Sequence, residues 1–537
     1  MISKLGSQFA IATCTIVALL SIDLTEAAES NRVRFVTSCE PNVQSDFDRA
    51  VTLLHSFEYL ESTRIFNEII DQDSQCAMAY WGLAMSIWHP LWSPPSAGDL
   101  EKGADFLVVT ESMQVTPRES TYINAIKAFF SSIDISTHSN RARMYETQMR
   151  ELYKNNLDDP EAAVFYALAL LAIADPSDKS YANSYKAAGL LNWVMSSQPS
   201  HPGVLHYLIH SYDKPGLAHL GLMVAEHYAD AAPDSAHAQH MPSHIFTRLG
   251  LWEKSLSSNI DSTRSAAEYT IRAGLSGHYD DGLHGMDYLV YAMLQSARDE
   301  EASEILVTLL NIGKTNTENF KVAYAYAASP ARYALERRQW REASDLQLQP
   351  AEFHWEDFGS AQSIHHFARG IGAARSGQSE KAMQEIVIIR QLKNELPSTT
   401  SSYFKEEAQV HIDLVTAWIR LTEGNIDEAI RLASQAADRE DAVDKDPVTP
   451  GEVLPARELF AEMLYEIGEN ERSLEQYKMV LTTYPNRLNA LLGAARVAKR
   501  LGDTQLVDTF HGLVREQTDS GNHQRESLMA AWESITQ

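Results

Sequence analysis

The stretch YEIGENERSLEQYKMVLTTYP (465–485) reads as the end of one helix, a turn at Gly468, and a second helix closed by Pro485. Proline ends a helix because it lacks the N–H donor and crowds the preceding turn. The same phrasing recurs in RLGLWEKSL (248–256) and TEGNIDEAIRLA (422–433). From about residue 43 onward the chain is amphipathic at helical spacing. Strand signals are missing: β-branched residues do not alternate, and Asp281-Gly282 is the one Asp-Gly turn. The fold expected is all-α.

The spacing resembles the tetratricopeptide repeat, a 34-residue helical hairpin with a small residue at position 20, a bulky one at 24 and proline at 32. Ser473, Tyr477 and Pro485 fit that frame, as do Ala187, Leu191 and Pro199. Ser62 with Phe66 fits near the start, and Ala429 with Ala433 near the end. WREASDL (340–346) and SGQSEKAM (376–383) suggest further hairpins with a weaker bulky position. The resemblance implies a right-handed superhelix of about nine hairpins over 43–515, with 29–42 an extension and 516–537 a helix or tail. Two proline-rich stretches interrupt it, His89 to Pro95 and Asp446 to Gly451. Each is expected to fold over the edge or mouth of the array.

The first 28 residues read as an export signal: Lys4 is the basic start and Phe9 to Ile22 an apolar run too short for a stable span. A soluble, secreted or periplasmic protein is therefore expected. Beyond the signal only Cys39 and Cys76 remain. In an oxidising compartment they form a disulfide on one reading and stay unpaired thiols on the other. The formal net charge of −27 repels phosphate backbones and argues against general nucleic-acid binding.

Ten of the 19 histidines lie between His201 and His284, where even spacing would put about three. They fall in HPGVLHYLIHSYD (201–213), HAQHMPSHIFTRLG (237–250) and HYDDGLHGMDYLVY (278–291). His206/His210 and His240/His244 are i,i+4 pairs, each on one helix face. In the repeat register His206, His210 and Asp213 fall at positions 5, 9 and 12 of their unit. His237, His240 and His244 fall at 2, 5 and 9 of the next, and His284, Asp287 and Tyr291 at 2, 5 and 9 of the one after. The resemblance implies that these positions face the concave groove. His201, His219, His227 and His278 fall off that face. The same ruler puts His55 at position 13, and Trp81, Met85, Trp88 and His89 at 5, 9, 12 and 13, an aromatic and Met-containing ligand wall. Glu458 and Glu462 sit at 5 and 9 of a late unit.

Neutral imidazoles offer nitrogen lone pairs, so His206, His210, His240, His244 and His284 with Asp287 make a candidate site for Zn, Cu or Fe. Met241 and Met286 lean toward copper. Asp213, His237 and Tyr291 are the candidate catalytic groups. No HExxH, GxSxG, Walker loop, dinucleotide fingerprint or CxxC is present. One functional reading is an exported metal- or ligand-binding protein, hydrolytic or oxidative if it is an enzyme. Another is a metal-free acid–base site made of the same residues. The third is a scaffold holding a peptide or protein in its groove; fold alone favours that one, but fold is not function.

Overall fold

The computed structural model describes residues 33–92, 94–233, 235–522 and 525–533; the expected signal, residues 1–28, lies outside them. Among the described residues no strand forms, and the one β pairing is an isolated bridge between His278 and Thr315. The chain is a succession of antiparallel helical pairs in a tetratricopeptide-like superhelix. Gln44–His55 packs on Tyr59–Gln72, and both pack on Ala77–Ile87. Ala456–Glu466, Asn470–Thr483 and Leu488–Leu501 repeat that arrangement near the other end.

The repeat frame has a physical basis that recurs from unit to unit. The residue between the paired helices, position 15, is left-handed: Phe57 (φ 57°), Gly250 (65°), Gly468 (87°) and Gly502 (76°). A residue with φ > 0 reverses the chain tightly, and glycine does so without a Cβ clash. The small residue at position 20 closes the pair. Ser62 donates its hydroxyl to the Ala50 carbonyl (2.9 Å), and Ser473 does the same to Ala461 (2.7 Å). The bulky residue at 24 then fills a glycine notch in the following helix. A Cβ at Gly82 would lie 2.3 Å from the Phe66 ring, and one at Gly493 the same distance from Tyr477. Hairpins also form where this signature is weak, as in Pro117–Phe129 with His138–Asn155, so pairs outnumber the nine units that spacing picks out. Local capping helps there, since Thr116 and Glu119 make a reciprocal capping box before Pro117.

The N-terminal extension is part of the fold. Phe35 is buried, with its ring 5.5 Å from Trp81 and 5.0 Å from Tyr122. Ser38 donates its amide (2.6 Å) and hydroxyl (2.7 Å) to Glu119. Cys39 and Cys76 form a disulfide that ties this segment to the start of Ala77–Ile87.

At the other end the chain returns across the concave face. The Asp444 amide donates to the Pro176 carbonyl (2.9 Å), Lys445 reaches Asp213 (2.8 Å), and the Trp252 indole donates to the Asn486 carbonyl (2.9 Å). The groove is thereby closed into an interior. Every residue of Asp280–Gln295, the helix along its centre, is buried. No helix among the described residues is long and apolar enough to cross a membrane.

The disulfide closes a loop with a sequence separation of 37, so removing it should cost about 2–4 kcal/mol by the chain-entropy argument. Urea denaturation of the Cys39→Ser/Cys76→Ser protein should show that loss, and reductant should then have no further effect on it.

Candidate functional site: two sets of three histidines

The concave interior brings six histidines together. Pro202–Tyr212 carries His206 and His210; His201 caps its first turn by accepting from the Val204 amide (3.2 Å). Ala236–His240 carries His237 and His240, and Pro242–Arg248 carries His244. Pro242 splits what would be one helix, yet the His244 amide still bonds back to the Met241 carbonyl (3.1 Å). His240 and His244 therefore keep one face. His284 comes from Asp280–Gln295.

They sort into two sets, His206/His210/His237 and His240/His244/His284, with one ligand-capable atom of each residue within 4.8 Å of the others in its set. In the first set the His206 Nε2 lies 3.1 Å from that of His210 and 3.2 Å from that of His237. In the second the Nε2 atoms of His240 and His244 are 3.0 Å apart, and the His240 and His284 ring centroids 4.2 Å. The sets adjoin: His210 is 5.9 Å from His244, and His237 6.3 Å from His240, between ring centroids.

Partners on the far side of the rings fix the tautomers. His206 Nδ1 faces the His55 carbonyl at 2.6 Å; a carbonyl only accepts, so this nitrogen carries the proton and Nε2 is bare. His244 Nδ1 faces the Asp213 carboxylate at 3.0 Å, with the same consequence. His240 Nδ1 faces Asn259 Oδ1 at 2.7 Å, while the Asn259 amide group donates to the Ser255 carbonyl (2.7 Å). Two bare nitrogens, His240 Nε2 and His244 Nε2, thus point at each other across 3.0 Å. A cation bound between them would relieve that contact; among the described residues the Tyr288 hydroxyl, 3.5 Å from His244 Nε2, is the one other donor beside the pair.

A proton is a poor choice of cation. Burial pushes His206 down to about 3, and it drives His210, His237, His240 and His284 well below the usual imidazole range; neighbouring histidines lower each of these further. Burial lowers His244 too, although Asp213 opposes it. Burial thus favours the neutral imidazole, the form that can ligate a metal.

Asp213 orients rather than reacts. Burial alone would raise it, but Lys445 and Arg248 overcome that and hold its carboxyl well below the usual range. Arg248 Nε donates to it at 2.8 Å and Lys445 Nζ at 2.8 Å, with His244 on its remaining edge. A carboxylate so committed is a weak base and does not manage a catalytic proton.

Other expected site residues lie elsewhere. Tyr291 is two turns along the helix from His284, about 10 Å at 1.5 Å per residue, and its hydroxyl accepts from Arg487 (3.1 Å). Asp287 accepts from the Ser329 hydroxyl (3.2 Å) on the flank of the same helix; burial raises it to about 6. Neither joins the six histidines. Trp81 and Met85 are core residues under the N-terminal extension, Trp81 against Phe165 (5.4 Å) and Met85 beside the Tyr145 hydroxyl (3.8 Å). His55 is no ligand wall either: it donates Nε2–H to Glu161 (2.9 Å) and accepts from the Tyr207 hydroxyl (3.0 Å). His201 bonds the other Glu161 oxygen (2.7 Å). His89 does line the interior opening, stacked on Tyr59 with ring centroids 4.2 Å apart.

A cavity of about 1150 Å³ reaches His237 from outside, lined by Phe57, Tyr59, His89, Trp92 and Lys321 among others. Both proline-rich stretches border it, through Pro90 and Pro95 on one side and Asp446 and Pro447 on the other. Phe57 occupies the left-handed turn position that Gly250, Gly468 and Gly502 hold elsewhere. Its ring sits 4.3 Å from His206 and 5.6 Å from His237. A non-glycine residue there costs roughly 1 kcal/mol, so the backbone is strained where it walls the histidines.

No protein-family model and no curated protein sequence matches the chain. Solved structures align with the chain at 11–14% identity. The human IFIT1 dimer with m7Gppp-AAAA aligns with TM-score 0.39 and 13% identity over 92% of this chain and 99% of that one. A monomeric IFIT1 mutant with Gppp-AAAA gives 0.38 and 13% over the same shares. A tetratricopeptide repeat protein from Parabacteroides merdae gives 0.30 and 12%, over 56% of this chain and 99% of that one. No functional residue is carried across from them.

The residues that spacing did not single out are those supplied from outside the three histidine phrases, together with Arg248 and Tyr288. Tyr288 follows His284 by four residues, and its hydroxyl approaches His244 Nδ1 at 3.4 Å. Helical spacing could have found it. Asn259, Phe57 and Lys445 carry no such local signal. Asp213→Ala should destabilise the protein by about 3–5 kcal/mol, because it strands Arg248 and Lys445 as buried charges. Urea denaturation without added metal measures it; a loss below about 1 kcal/mol would mean those cations find water instead.

Proposed function

We propose that this protein is an exported metalloprotein that holds transition-metal ions in its two three-histidine sets and acts on a small molecule in the cavity beside them. The observation that carries the reading is the pair of bare nitrogens, His240 Nε2 and His244 Nε2, aimed at each other across 3.0 Å. Three neutral imidazoles leaving an open position are a ligand set that zinc, copper and iron all accept. The outer nitrogens of His206, His240 and His244 already bond a carbonyl, an amide oxygen and a carboxylate, the supports that orient metal-bound histidines.

Export is supported by the apolar N-terminal run and by the Cys39–Cys76 bridge, which suits an oxidising compartment. A groove that holds a peptide or protein fits less well. The concave face is closed by the returning segment around Asp444 and Lys445, and its polar positions are filled by histidines. The net charge of −27 also opposes a nucleic-acid ligand.

The test is metal analysis of the mature protein, purified without chelator and reconstituted in turn with zinc, copper and iron. At least one equivalent of one metal is expected. Less than about a tenth of an equivalent of every metal would overturn the reading, since sites of this type bind far more tightly than the protein concentrations used. Asn259→Leu, which removes the partner of His240 Nδ1 and a local bond to the Ser255 carbonyl, should weaken metal binding about 10- to 100-fold in a competition titration. An unchanged affinity would mean that His240 is not a ligand.

A further inference from the structure

Resting on that reading, we infer that the two sets hold one coupled pair of copper ions that reacts with dioxygen and takes electrons from a planar aromatic donor in the cavity. The two sets are near enough for their ions to share a bridging ligand. Rings of opposite sets approach to 5.9 Å (His210 and His244) and 6.3 Å (His237 and His240) between centroids. Each ion lies about 2 Å beyond its nitrogens. Paired metals that act together sit about 3.5–4 Å apart, a separation these rings can span.

The donor set selects the metal. All six ligands are imidazoles, and no carboxylate joins either set. The nearest one bonded to a ligand, Asp213, is already matched by Arg248 and Lys445. A donor set made only of imidazoles suits copper. Carboxylate-rich iron or manganese pairs have no counterpart here.

The cavity selects the donor. Phe57, Tyr59, His89 and Trp92 line it where it meets His237. Trp92 stands 5.8 Å from His237 and 4.8 Å from Phe57 between ring centroids, so a flat ring entering there meets aromatic faces up to the ligand itself. An ortho-diphenol fits the electron count. It loses two electrons and two protons to become a quinone, taking both copper ions from Cu(II) to Cu(I). Two such turns deliver four electrons and four protons to one dioxygen, which leaves as two waters.

The test uses the full mature chain loaded with Cu(I) and then exposed to air, with 4-methylcatechol as the probe donor. Expected are about two coppers per chain, a doubly integrated EPR signal accounting for under about a tenth of them, and oxygen uptake at half the rate of catechol loss. His210→Ala and His284→Ala should each leave about one copper, now fully EPR-visible. Trp92→Ala lies outside the ligand sets; it should leave copper content and EPR silence unchanged and raise KM for the catechol about 3- to 10-fold. Copper below a tenth of an equivalent in the unaltered chain, with zinc or iron bound instead, would overturn the copper assignment while sparing the metal reading. Two fully EPR-visible coppers would overturn the coupling. An EPR-silent pair that consumes no oxygen with the catechol would overturn the donor.

Discussion

Asp213 is the junction on which the interior depends. Its carboxylate receives Arg248 from the following unit, His244 from the same unit as Arg248, and Lys445 from 232 residues further along the chain. A buried charge in so dry a setting is tolerable only when fully matched, so these partners hold one another in place. Lys445 cannot leave without uncovering Asp213, and Asp213 cannot turn without releasing His244. The closure of the superhelix and the orientation of one histidine are therefore one event. A tetratricopeptide-like array is ordinarily open along its concave face; here an ion cluster draws the late segment across it.

Closure changes what the histidines are. On an open groove, water would supply donors to the bare nitrogens and protonation would be cheap. Once buried, His206 falls to about 3, and four of its neighbours fall well below the ordinary range. Fixed tautomers at His206, His240 and His244 then leave lone pairs facing inward, with protons turned toward the His55 carbonyl, Asn259 and Asp213. The His240 and His244 lone pairs are held 3.0 Å apart, with the Tyr288 hydroxyl 3.5 Å from the second. His55 and His201 show the contrast, since each finds a Glu161 oxygen and needs nothing more.

The fold was legible because its rules are local. Gly468, Ser473, Tyr477 and Pro485 each do their work within one hairpin or against the next, so a fixed spacing exposes them. The histidines at positions 5 and 9 were legible for the same reason: a helix face is a property of spacing. What spacing cannot report is what covers a face. Trp81 and Met85 sit at positions 5 and 9 too, yet Phe35 and Phe165 pack against Trp81 and Tyr145 meets Met85. Tyr291 shares the angular position of His284 but lies two turns on, where Arg487 meets it. The division of six histidines into two sets was also hidden, because it depends on how three units stack. Asn259 and Lys445 reach the site from elements whose own sequence says nothing of it.

Phe57 joins the two levels. Its position is set by the repeat, since it falls at the left-handed turn that Gly250, Gly468 and Gly502 hold in other hairpins. Its identity is not, because glycine would meet that need at lower strain. The aromatic ring instead closes over His206 and His237 and forms one side of the passage to Trp92. A repeat scaffold supplies many equivalent turns. Ala297 and Arg338 also hold a left-handed turn without glycine; what is particular to Phe57 is that its ring walls the histidines. Strain of this kind persists only where the surroundings over-determine it. Phe57 is over-determined by Tyr59, Trp92, His206, Tyr207 and His237 around it.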